Sequence, residues 1–291
     1  MGPDLTERTT KRVGRRWPAG ALVVGLLSLV LSGCSSEDVD QIRRLALPPP
    51  ASDAAPHMAA LWQGAWIAVG VTGVLVWGLI LWAVARYHRR GDDEVPPQTR
   101  YNVPIEVLYT VVPIIVVAVF FYFTVVVQNK VLKQGDATDH QVLVLGAKWN
   151  WNFTYLNDKA LDGQTDVFDT GTPADLPELW LPVDESVDFE LRSNDVVHSF
   201  WVPSFYFKMD VIPGRDNSFE LTPTKTGEFA GRCAELCGLY HSRMLFTVKV
   251  VTADEYAQHL KDLQDEGQVG IQLPNDYVTN LGGLAIAGGS S

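Results

Sequence analysis

Residues 231–244 read GRCAELCGLYHSRM. Two cysteines, a glutamate, a histidine and a methionine crowd into this stretch, and the chain has only one other cysteine, Cys34. The spacing is Cys233-x3-Cys237-x3-His241-x2-Met244. Thiolates and thioethers are soft donors and imidazole is intermediate, a set that favours copper over magnesium or calcium. Zinc is disfavoured, because methionine does not belong to its usual cysteine and histidine set. Intervals this short fit one loop between two strands, curled round a metal. A second histidine must come from elsewhere, and DVVHSFWVP supplies His198 in a loop just after a predicted strand. Two thiolates, two imidazoles, a thioether and a backbone carbonyl are enough for two ions that share bridging sulfurs. Taken singly, each residue has a plainer reading. A cysteine pair in an oxidising compartment forms a disulfide, His198 packs or faces solvent, and Met244 belongs to a core. Their joint occurrence favours a binuclear copper site.

The strands around this loop are legible. HQVLVLGAKWNWNFTY, SVDFELRS, SFELTPTKTGEFAG and MLFTVKVV are rich in β-branched and aromatic residues, with Gly, Pro, Asn and Asp between them. Short strands at this spacing predict a β-sandwich or barrel over about residues 138–251. Residues 160–178 read as a long acidic loop, and Thr252 with Glu255 has the spacing of a capping box opening a helix to about Glu266. From Gly267 the tail is glycine-rich.

The other half of the chain is of a different kind. Gly64 to Ala85 and Val107 to Val127 carry no charge, and each is long enough to cross a hydrocarbon core of about 30 Å as a helix. Trp62, Trp66 and Trp82 stand near the ends of the first run, where amphipathic rings prefer the interface. The alternative is a pair of buried helices in a soluble domain. Arg86, Arg89, Arg90 and Arg100 put the loop 86–106 on the cytoplasmic side, and so both flanks outside. Residues 1–33 have the form of a signal segment: Lys11, Arg12, Arg15 and Arg16, then the apolar run Ala21 to Leu31. It ends in LSGCSS, which resembles a lipoprotein box cleaved before Cys34; an ordinary signal peptide with an incidental cysteine is the alternative. Residues 34–63 read as an extended exterior linker, 64–127 as the helical hairpin, 128–251 as the β domain, and 252–291 as a helix with a tail.

Charge follows the same division. The net charge is −11 over 291 residues, with −12 from Gln128 onward and +1 before it. An acidic outer domain repels nucleic acid and steers basic partners.

With these residues in hand, the chain resembles subunit II of the haem–copper cytochrome c oxidases. The family motif C-x-E-x-C-x3-H-x2-M is matched by Cys233, Glu235, Cys237, His241 and Met244, with His198 upstream; KMDVIPGR and HSFWVP also look like family segments. The resemblance covers nearly everything after Cys34. It implies a two-helix transmembrane hairpin plus an all-β cupredoxin-like sandwich domain. It implies that Cys233 and Cys237 bridge two coppers of a CuA centre, each of His198 and His241 ligates one, and Met244 and the Glu235 carbonyl complete the set. The Glu235 carboxylate would reach a magnesium at the boundary with subunit I. AKWNWNFTY matches an aromatic stretch whose first tryptophan, Trp149, receives the electron; the alternative is a core aromatic. Glu106, seven residues before Pro113, matches a carboxylate at the mouth of a proton path, or is simply solvated. Implied partners are oxidase subunits I and III, soluble or tethered cytochrome c, a bc-type complex in a supercomplex, and membrane lipid. The implied activity is that of the oxidase complex, with oxygen chemistry elsewhere than in this subunit. The family often has Tyr where this chain has Asn150 and Phe153, and the insert 160–178 is outside the minimal pattern. With the lipoprotein box, the insert suggests a bacterial, actinobacterial branch. A quinol-oxidase subunit lacks the copper ligands. The copper domain of nitrous oxide reductase lacks such an anchor. A copper chaperone or disulfide-stabilised lipoprotein leaves Trp149 and Glu106 without a role.

Overall fold

The structure is a computed structural model that describes residues 35–88, 91, 98–135, 137–161, 163 and 165–271. The signal segment 1–33, Cys34, Arg89, Arg90 and the tail beyond residue 271 lie outside the described residues. The chain divides into two units, the first ending at Ala46 and the second starting at Leu47. In the first, helix α1 spans Ser36–Arg43. Ser35 accepts from the Asp38 amide while the Asp38 carboxylate accepts from the Ser35 amide, so two otherwise orphaned donors are satisfied. The expected extended linker at 34–63 is therefore corrected: its start is helical, because SEDVDQIR carries a complete cap.

In the second unit, helices α2 (Ala55–Arg86) and α3 (Val103–Val131) form the hairpin. Both begin with proline in the first turn, where its missing N–H costs nothing. The long helix thus starts at Ala55, ahead of the apolar run that begins at Gly64. Both helices are long and apolar enough to cross a membrane. Their large side chains face outward, as with Trp77, Val74 and Phe121. Helices apolar all round need an apolar surrounding, and neither is buried within this chain, which argues against the reading as buried helices of a soluble domain.

Ten strands follow: β1 His140–Ala147, β2 Asn150–Tyr155, β3 Val167–Thr170, β4 Glu178–Pro182, β5 Val187–Ser193, β6 His198–Val202, β7 Phe207–Val211, β8 Asn217–Leu221, β9 Gly227–Cys233 and β10 Leu245–Val251. They make two sheets, ordered β3-β2-β1-β5-β8 and β4-β10-β9-β6-β7. The pairs β1/β5 and β4/β10 are parallel and the rest antiparallel. The acidic insert 160–178 is not all loop: VFDT pairs with β2, burying Val167 and Phe168. Trp151, Phe153 and Tyr155 from β2 meet Phe189, Phe200, Phe219 and Phe246 in the core, with Phe200 stacked on Phe246 at 5.1 Å. Gly231 lies opposite Phe246, and a Cβ there would stand 2.0 Å from its ring. Only glycine lets that ring lie flat across β9.

Helix α4 (Ala253–Asp265) carries the reciprocal Thr252–Glu255 cap and buries Tyr256, Leu260 and Leu263. This spacing makes one apolar stripe. The Tyr256 hydroxyl donates to Asp158 at 2.8 Å, and His140 bridges Asp158 (2.6 Å) and Glu185 (2.8 Å). Burial opposes charge on His140, but the two carboxylates outweigh it and raise its pKa. Burial likewise pushes Asp158 up, and the bonds from His140, the Ala160 amide and Tyr256 outweigh it, so its pKa falls. Glu185 is lowered by His140 first. The His140 contribution is therefore complete below its unfolded value of about 6.5 and is lost as pH rises through its folded value. The carboxylate contributions are present above roughly 4 and are lost as pH falls through their lowered values. His140→Gln is expected to destabilise the detergent-solubilised chain by about 3 kcal/mol in mildly acid buffer. Thermal melts across pH should show that deficit shrinking as pH rises.

A strap ties the hairpin to the sandwich. The Ala51 amide donates to the Ser204 carbonyl, the Thr224 amide to the Ala51 carbonyl, and Asp53 exchanges bonds with Thr222. Ala51 and Ser52 are buried. The chain is thus fixed to the sandwich just before α2 and re-enters it shortly after α3.

Candidate metal centre

His198 opens β6, and Cys233 ends β9. The two strands are antiparallel neighbours, with Phe200 opposite Cys233. Met244 directly precedes β10, and the Cys233 amide donates to the Met244 carbonyl at 3.0 Å. Three adjacent strands so deliver three donors to one end of the second sheet. The loop position expected for His198 is corrected: HSFWV pairs with β7 along its whole length, so the histidine is the first residue of a strand. Residues 234–244 fold back over this end, with a short 3-10 turn at His241–Arg243.

Cys237 is the hub. Its Sγ lies 3.9 Å from Cys233 Sγ, 3.6 Å from His241 Nδ1 and 3.8 Å from Met244 Sδ. Cys233 Sγ lies 3.9 Å from His198 Nδ1 and 3.2 Å from the Glu235 carbonyl oxygen. The ligand atoms of His198, Cys233 and Cys237 all fall within 4.8 Å of one another. A disulfide would put the sulfurs about 2 Å apart; both thiols are free, so the disulfide reading fails. With metal–ligand bonds of about 2.0–2.3 Å at near-tetrahedral angles, two ligands of one ion sit roughly 3.3–3.8 Å apart. The sulfur, imidazole and thioether spacings are close to that range, so the residues fit a soft metal, and the double sulfur suits a shared one. His198, Cys233, Cys237 and Met244 are buried, and His241 is half-buried. Glu235 turns its carbonyl toward Cys233 while the residue is exposed.

The two thiols differ. Burial pushes Cys233 up, but hydrogen bonding to His198 and to the Glu235 and Ser199 backbone outweighs it and brings the thiol to about 6. Burial and the neighbouring Cys233 charge push Cys237 up to about 12. Binding a metal through both sulfurs must expel whatever thiol protons remain.

Two glycines and one carboxylate shape the site, and the sequence reading missed all three. On β1, a Cβ at Gly146 would stand 3.2 Å from the His198 ring. Gly238, next to Cys237, has φ +127° and lies under Trp149. Asp195 Oδ1 accepts from His198 Nε2 at 2.8 Å, which leaves Nδ1 facing Cys233. Its other oxygen accepts from the Lys148 amide at 2.7 Å. Burial pushes Asp195 up, and these bonds outweigh it and lower its pKa. The i, i+3 spacing of Asp195 and His198 was visible in NDVVH, but nothing there tells which way the ring faces. A carboxylate behind a ligating imidazole fixes its tautomer and orientation. Asp195→Asn is expected to weaken metal binding about 10–100-fold, measured by competition with a chelator.

Trp149, half-buried in the turn between β1 and β2, joins the site by lying over Gly238. Glu106 does not join it. It sits in the first turn of α3, where its carboxylate accepts from the Asn102 amide at 3.0 Å, and the β domain follows the opposite end of that helix. About 30 Å of helix separates Glu106 from Val127.

The family model described as cytochrome C oxidase subunit II, periplasmic domain, matches residues 140–251. A probable cytochrome c oxidase subunit 2 of Streptomyces avermitilis is 46% identical, over 93% of this chain and 94% of its own length. The cytochrome c oxidase subunit 2 of Mycobacterium tuberculosis is 35% identical, over 87% of this chain and 83% of its own. Among solved structures, the periplasmic domain of subunit II of cytochrome oxidase of Bradyrhizobium japonicum is similar to 46% of this chain and 99% of that one, at 28% identity and a TM-score of 0.40. The chain joins two helices that could span a membrane to a β-sandwich domain with a candidate metal site. The chain belongs to the cytochrome c oxidase subunit II family, and so is one subunit of a terminal oxidase.

Proposed function

We propose that this subunit receives electrons from cytochrome c at a binuclear CuA centre and passes them to haem in subunit I, where oxygen is reduced and protons are pumped. The convergence of His198, His241, Met244 and the Glu235 carbonyl on the Cys233–Cys237 pair carries this reading. When bound there, a copper pair supplies one-electron chemistry at a site that need not rearrange. The chain's own residues do the rest. His198, Cys233, Cys237, His241, Met244 and the Glu235 carbonyl hold the ions. Asp195 orients His198. Trp149 receives the electron beside Gly238, and the acidic domain attracts a basic donor, soluble or membrane-tethered.

The remaining assignments follow the same reading. Arg86 and Arg100 flank a cytoplasmic loop, which puts the copper domain outside a bacterial cell membrane. Glu106, at the cytoplasmic end of α3, marks the mouth of a proton path into subunit I. The exposed Glu235 carboxylate helps hold magnesium against subunit I. Cleavage before Cys34 and a lipid on its sulfur give a second anchor, with the chain up to Ala54 as exterior connection, Ala55 to Val131 as hairpin, the strands up to Val251 as copper domain and 252–291 as helix and tail. Subunit III and a bc-type complex are further partners.

Purification of the complex by a tag on this chain tests the proposal. Haem-containing subunit I should co-purify, and rapid mixing with reduced cytochrome c should reduce the copper centre before haem. A chain that purifies without haem, or copper that cytochrome c leaves oxidised, would contradict it.

A further inference from the structure

We propose that Tyr240 is a positioning residue that holds the Trp149 ring in place over the metal loop; this rests on the reading of Trp149 as the residue that receives the electron. The two rings meet edge to face, with centroids 5.0 Å apart and planes at 89°. That is a favoured arrangement, the positive edge of one ring against the negative face of the other.

The Trp149 indole packs on its inner side against the buried core, but no hydrogen bond among the described residues fixes it. Its Nε1 is buried without a hydrogen-bond partner among the described residues, so packing alone orients the ring. Below it lies Gly238, where a Cβ would stand 3.1 Å from Cζ2 and 3.3 Å from Nε1. Glycine therefore lets the ring settle on the backbone next to Cys237, but it offers no side chain to stop the ring sliding. Tyr240 provides that stop. Its own backbone is part of the metal loop: its carbonyl accepts from the Arg243 amide at 2.8 Å, and it directly precedes the ligand His241. The ring that fixes Trp149 is thus itself fixed to the ligands. Asp195 fixes the backbone just before Trp149 by accepting from the Lys148 amide. Tyr240 is 43% exposed, so the ring pair reaches the surface.

The redox step is simple to balance. One electron leaves the reduced cytochrome c, which is oxidised, and the metal centre is reduced by one; no bond or proton changes at either ring. A Trp149 ring that wanders is competent for only part of the time, and the rate falls by that fraction.

The test uses the intact oxidase with Tyr240→Phe, Tyr240→Ala and Tyr240→Leu. Leu keeps bulk without the ring, in case Ala loosens the loop. The first-order reduction rate at saturating cytochrome c should fall about tenfold in Ala and Leu, with KM little changed, and stay within about twofold in Phe. Hydroxyl-radical labelling of Trp149, read by mass spectrometry, should rise severalfold in Ala and Leu and not in Phe. The copper EPR spectrum should be the same in all. Full-speed reduction in both Ala and Leu, equal loss in Phe, unchanged labelling, or an altered EPR spectrum would overturn the proposal. Trp149→Phe separates the two ideas. If it is slow while Tyr240→Leu is fast, only the role of Tyr240 fails; if it too is fast, the reading of Trp149 fails.

Discussion

Cys237→Ser is expected to empty the centre, reducing copper from about two ions per chain to one or fewer. Cytochrome c-driven reduction should fall to below about a hundredth of the native rate, because ligation and charge are lost together. Cys237 touches Cys233, His241 and Met244 at 3.6–3.9 Å, so one change removes three shared contacts. A serine hydroxyl is a harder donor and keeps its proton, so it bridges soft ions poorly. The fold should survive. The cysteine lies on the loop after β9, where it is buried at the end of the hydrophobic cluster, and serine fills nearly the same volume. Circular dichroism should therefore match the native chain while elemental analysis shows the loss. Equal copper in the two proteins would remove Cys237 from the ligand set.

Trp149→Phe should act differently, leaving copper content intact and slowing reduction by cytochrome c about 100-fold. Phenylalanine lacks the larger part of the indole that covers Gly238, so a gap opens beside Cys237. A displacement of about 1 Å at a transfer site is enough for an effect of that size. Dithionite, which does not use the docking face, should reduce both proteins alike. A native rate with cytochrome c would assign Trp149 to packing alone.

The candidate ligands stood out because soft donors at short spacing have few other uses, and GRCAELCGLYHSRM holds most of them. The candidate membrane helices were legible because each uncharged run is long enough to cross a hydrocarbon core. What lay hidden depends on the third dimension. Asp195 sits three residues before His198, yet its second contact, with the Lys148 amide, joins segments far apart in the chain. Gly146 matters only because β1 passes close to His198. VFDT was too short and too acidic in context to read as a strand, and pairing with β2 decides it. Residues 51–53 looked like linker because their burial comes from backbone bonds to Ser204, Thr222 and Thr224, which no side-chain pattern announces. Pairing likewise decided His198: a histidine opening a strand and one in a loop have the same local sequence.

The most direct test is to count copper per chain in the purified intact oxidase and record its low-temperature EPR spectrum. The account predicts two coppers attributable to this subunit and a mixed-valence signal, one unpaired electron shared between them. A single copper with its electron localised on one ion, or zinc in its place, would contradict it.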